Sequence, residues 1–75
     1  MNNVNLVVHI DETLSDHEIH DLERALAHTP GVMAACIHDR RRHLMVVDYD
    51  PDAANSLEIL SQLQHKGYHA ELIGF

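Results

Sequence analysis

Two helix-capping spacings divide this chain into short blocks. Ser15-Asp16-His17-Glu18 and Asn55-Ser56-Leu57-Glu58 each set a side-chain acceptor three residues ahead of a glutamate. That pattern satisfies the first free backbone N–H groups of a helix. Ahead of the first spacing, Val4, Leu6, Val8 and Ile10 alternate with Asn5, Val7, His9 and Asp11. Alternation of this kind is strand periodicity with one buried face. A strand over Val4–Ile10 therefore hands over to a helix within the stretch Asp11 to His20. Asp16 and Glu18 there suit the positive end of a helix dipole.

The remaining blocks follow by the same logic. Ile19, Leu22, Ala25 and Leu26 form a core-facing helical stripe that runs to Ala27, and Thr29-Pro30-Gly31 stops it. Val32 to His38 reads as a second strand and Leu44 to Tyr49 as a third, joined by the charged tip His38-Asp39-Arg40-Arg41-Arg42-His43. Asp50-Pro51-Asp52 ends the third strand. In the second helix, Leu57, Leu60 and Leu63 make the buried stripe, with Ile59 and Ala54 at its margins, and His65-Lys66-Gly67 closes it. Tyr68 to Ile73 alternates again as a short last strand. The order β-α-β-β-α-β, with right-handed crossovers, predicts one α+β domain over residues 1–75. It is a ferredoxin-like sandwich: a four-stranded antiparallel sheet in order 4-1-3-2, both helices on one face and the other face bare.

Size and charge narrow the function classes. A chain of 75 residues buries a small core and often relies on a metal, a disulfide or a partner. Cys36 is the only cysteine, so no intrachain disulfide forms, which fits a reducing compartment. The opening Met-Asn-Asn-Val-Asn has no basic leader region and no apolar run reaches membrane-spanning length, so the reading is untargeted and cytoplasmic, without membrane insertion. A net charge of −7 argues against nucleic-acid binding. Eight histidines are the compositional anomaly; protonating all of them would move −7 to +1, so charge and solubility respond to pH near about 6.5. Arg40-Arg41-Arg42 offers either a solvated turn or a contact for an acidic partner or phosphate.

Pro30-Gly31-Val32, Val47-Asp48-Tyr49-Asp50-Pro51 and Gly67-Tyr68-His69-Ala70-Glu71-Leu72-Ile73, with their separations, resemble the heavy-metal-associated domains of copper chaperones and of the N-terminal regions of metal-transporting P-type ATPases. The hairpin between Pro30 and Tyr49 is about one residue longer than that pattern has. The resemblance implies a soft-metal loop, Met-x-Cys-x-x-Cys, at the start of the first helix. Counted back from Pro30, its cysteines fall on Ser15 and Glu18 and its methionine on Thr13. A hydroxyl and a carboxylate do not suit Cu(I), so carriage in the thiolate manner is not expected.

Two further readings remain. His17 and His20, with Glu18, Asp16 or Asp11, make a candidate nitrogen and oxygen site for Zn²⁺, Ni²⁺, Co²⁺ or Cu²⁺. The plain alternative is that Ser15 and Glu18 only cap the helix and both histidines are solvated. The bare sheet face should carry Val7, His9, Ala34, Cys36, His38, Leu44, Val46, His69, Glu71 and Ile73. Its apolar members suit a homodimer or docking on another protein, independent of metal. His9 and His69 are expected on adjacent strands, where a cross-strand pair, a pH-sensitive contact or part of a shared metal site at a dimer interface are all open to them. No convergent cleft or phosphate-binding loop points to an enzyme.

Overall fold

The computed structural model describes residues 3–74; Met1, Asn2 and Phe75, the ends of the expected 1–75 domain, lie outside the described residues. The elements are β1 (Val4–Ile10), α1 (Asp16–Ala27), β2 (Val32–His38), β3 (Arg41–Tyr49), α2 (Ser56–His65) and β4 (Ala70–Gly74). All neighbouring strands are antiparallel, in the order β2-β3-β1-β4, the expected 4-1-3-2 read from the other edge.

Alternation decides which face is buried. Leu6, Val8 and Ile10 of β1 and Met45, Val47 and Tyr49 of β3 point inward. Leu22 and Leu26 of α1 and Ile59 and Leu63 of α2 cover them. No polar or charged side chain is buried among the described residues, so the core needs no internal partner for such a group. Gly31 sits at φ +89°, and a Cβ there would meet Ala54 Cβ at 2.8 Å, so glycine permits both the turn and the close passage.

The second helix is rotated from the sequence expectation. Leu57 is 71% exposed, whereas Ile59 and Leu63 are fully buried. Ile59 and Leu63 are one turn apart, and Leu57 lies about 200° around the axis from Ile59 at 100° per residue. Asn55 caps this helix by accepting from Glu58 N at 2.9 Å, while the Glu58 carboxylate returns to Asn55 Nδ2, not to its backbone. β3 also starts at Arg41 instead of Leu44, and β4 at Ala70 instead of Tyr68.

Three register shifts shape the sheet. Met33 is extra on β2, between Val32↔Tyr49 and Ala34↔Asp48, so Val32, Ala35 and Ile37 share the inner face. Ile73 is extra on β4, between Val7↔Gly74 and Val8↔Leu72. At the hairpin, Ile37 pairs with Met45 but His38 pairs with Arg41, so Arg42, His43 and Leu44 have no partner on β2. Such bulges re-aim side chains. Ile59→Ala is expected to cost about 2–4 kcal/mol in urea unfolding and Leu57→Ala no more than about 0.5 kcal/mol; the reverse ranking would contradict this helix phase.

Candidate metal centre at the start of the first helix

The segment from Asp11 to His20 is fastened at three points. At the helix itself, Ser15 Oγ accepts from Glu18 N at 3.2 Å and Glu18 Oε1 accepts from Ser15 N at 3.0 Å, a complete capping box. The Ser15 backbone N–H first, and then the Ser15 side chain, hold the Glu18 carboxyl below its usual range. At the hairpin, Arg42 Nη2 donates to Asp16 Oδ1 at 2.6 Å and to Leu14 O at 3.2 Å. The hydrogen bond from Arg42, and then its charge, lower the Asp16 carboxyl. At the far edge, Glu12 accepts from His69 N at 2.8 Å and from His69 Nδ1 at 2.6 Å, while Asp11 N donates to His69 O at 2.8 Å. Between these ties Leu14 is buried and anchors the loop in the core.

His17 and His20 both stand free of the core on α1, their side chains 86% and 76% exposed. His17 Nε2 lies 3.2 Å from Asp21 Oδ2, and His20 Nδ1 lies 3.8 Å from Glu23 Oε1. Asp16 and Glu18 face Arg42 and Ser15 instead. Among the described residues no three His, Cys, Asp or Glu side chains converge at metal-ligating spacing. His20 and Glu23 share a cleft with Cys36 and Asp39. Burial, and then the Glu23 charge, push the Cys36 thiol up, which disfavours the thiolate a soft metal needs. Glu23 Oε2 also accepts from Ile37 N at 2.9 Å, covering part of the open edge of β2.

This arrangement of four strands and two helices recurs in solved proteins. No protein-family model and no curated protein sequence matches the chain. Among solved structures, it superposes on a copper-binding domain from HMA7, a P-type ATPase, with a TM-score of 0.83 and 20% identity, covering 93% of each chain. Oxidized MerP from Ralstonia metallidurans CH34 gives 0.84 at 11% identity, over 97% of this chain and 100% of that one. The apo copper chaperone of Enterococcus hirae gives 0.79 at 22%, over 91% and 98%. The fold is that of the heavy-metal-associated domains. Within this heavy-metal-associated fold, the two positions that the resemblance assigns to thiolates are the two halves of the capping box.

The expected pairing of His9 with His69 does not form. His9 lies opposite Glu71 in the β1–β4 register, and His69 precedes β4 with its ring on Glu12. His9 instead stacks on His43, the ring centroids 5.9 Å apart and the planes within 20°. Sequence reasoning also missed Arg42 and Glu12 as ties of the helix-start loop. The only signal was charge complementarity between the arginine turn and the acidic stretch, and nothing in local spacing selects which arginine reaches which carboxylate.

The Glu12–His69 tie should respond to pH. The hydrogen bond to His69 lowers Glu12, and the bond from Glu12 raises His69. Glu12 contributes stability that is present above its unfolded value and lost as pH falls through its folded value. His69 contributes stability fully present below its unfolded value and lost as pH rises through its raised folded value. The tie is therefore strongest between about pH 5 and 6.5. In a ring NMR titration, Glu12→Gln is expected to return His69 to about 6.5; an unchanged midpoint would show that Glu12 does not hold it.

Proposed function

We propose that this is a small, non-enzymatic metal-handling domain acting in the cytoplasm. It takes a divalent transition metal at the start of α1 through His17 and His20, with Glu18 and Asp16 as carboxylate partners, in place of a thiolate pair. One observation carries the reading: the two imidazoles are three residues apart and solvent-facing on α1, at the helix start to which the resemblance assigns a metal loop. Each also has a carboxylate within 4 Å of one ring nitrogen, Asp21 beside His17 and Glu23 beside His20, which leaves the other nitrogen for an ion. Similar structures include a copper-binding ATPase domain and a copper chaperone, which supports metal handling as the general role.

The donor set favours Zn²⁺, Ni²⁺, Co²⁺ or Cu²⁺ over Cu(I). Glu18 and Asp16 are already held as carboxylates, so neither has to lose a proton to bind. They do have to exchange Ser15 and Arg42 for the ion. The imidazoles must be neutral, so binding fades below about pH 6. Calorimetric titration of tag-free protein with each ion is expected to show stoichiometric binding. His17→Ala with His20→Ala should weaken it by about tenfold or more. Unchanged affinity in the double variant overturns the site.

A second reading, association through the open sheet face, has its own support. Val46 is 40% exposed on β3 beside exposed Cys36 on β2, and Ile73 on β4 is 52% exposed. An apolar face of this kind suits a homodimer or another protein. A sedimentation series in concentration is expected to show a dimer if the face self-associates; a monomer at the highest concentration removes that version.

A further inference from the structure

We propose that the bare sheet face takes a second copy of this chain, stacked face to face about a two-fold axis that crosses the strands at Val46. The proposal rests on the association of the open face described above, and names its occupant and geometry. Strand register lays an apolar row across the whole sheet. Val46 of β3 stands opposite Cys36 of β2 on one side and Val7 of β1 on the other. Ile73, the extra residue of β4, falls beside Val7. Val46, Cys36 and Ile73 are exposed and Val7 is half-buried, whereas Met45 and Val47 on either side of Val46 are buried on the other face.

The rows flanking this one differ in chemistry. On one side, Asn5, Asp48 and Ala34 stand next to one another on β1, β3 and β2. On the other side, His9 faces Leu44, and His43 stacks on His9 with ring centroids 5.9 Å apart. Glu71 of β4, opposite His9, ends that row. A two-fold axis along the apolar row reverses the strand direction of the second copy and keeps each strand over its own counterpart. Val46 and Cys36 then meet themselves. Asn5 lies over His9 of the second copy, and Asp48 lies over its Leu44, next to its two stacked imidazoles. A carboxylate on one flank thus meets two rings able to carry positive charge on the other, twice by symmetry. Glu71 stays two strands away from Asp48 of the second copy. Turning the axis to run along the strands instead sets each flank against itself and Cys36 over Ile73, so the complementarity is lost.

Area sets the strength of the contact. Four strands about 4.8 Å apart, with about 3.3 Å per residue along the strands, give a face of roughly 19 by 23 Å over the seven residues of β1 and β2. That is about 440 Å² per copy and about 900 Å² in all, at the low end of specific interfaces, where weak and reversible complexes lie. The dimer is therefore one that forms and parts with concentration. Both helices lie on the opposite face, so stacking leaves His17 and His20 of α1 open to solvent.

Cys36 is the only cysteine and is exposed, so the chain carries its own reporter of this axis. The test is a sedimentation series in concentration on the full chain, with a short bismaleimide added to matched samples to cross-link thiols. Dimer is expected to grow with concentration, and a covalent dimer joined Cys36 to Cys36 to grow with it. Val46→Glu should weaken association by about tenfold or more. Asp48→Lys should weaken it by about threefold or more, and carries the test if the first variant does not fold. A monomer at the highest concentration overturns the proposal together with self-association through this face, and leaves the face to a different protein. A dimer that Val46→Glu weakens but that yields no Cys36 cross-link overturns the axis alone. A dimer indifferent to both substitutions lies elsewhere on the surface and overturns the proposal.

Discussion

The reciprocal bonds between Ser15 and Glu18 govern the end of the molecule where β1 hands over to α1. They fix where α1 begins, and so how its stripe of Leu22 and Leu26 meets the sheet. They also occupy the two positions that the resemblance assigns to a thiolate pair. A helix start with its first N–H groups satisfied by its own side chains has no need of an ion to hold it. Loop geometry therefore does not depend on a bound ion.

The core supports the same conclusion. Leu6, Val8, Ile10, Met45, Val47, Ile59 and Leu63 are fully buried and no polar or charged residue is buried among the described residues, so apolar packing carries the core. Leu14 extends that packing into the loop, and Arg42 and Glu12 clasp the loop from the hairpin and the far edge. Carboxylates at the helix start are thus divided among structural partners. His17 and His20 are left facing solvent, which is why the candidate site at the helix start is built on imidazole.

Much of the fold was legible because its signals are local. Alternation located β1 and the buried faces, and the cap at Ser15 and the stop at Pro30-Gly31 bounded α1. The phase of α2 was misread because four apolar residues, Leu57, Ile59, Leu60 and Leu63, allow more than one stripe. Only packing against the sheet chose Ile59 and Leu63. The candidate site was legible in part: His17 and His20 were visible from spacing, whereas the partners of Asp16 and Glu12 lie 26 and 57 residues away.

The sequence by itself determined the order of elements, the capped start of α1 and the absence of the thiolate pair. Each depends on residues within one turn or one strand of each other. Tertiary structure decided the three bulges, the reach of Arg42 and the meeting of His9 with His43. A one-residue shift of register redirects a side chain to the other face, and register depends on which strands pair across the sheet. No run of neighbouring residues encodes it.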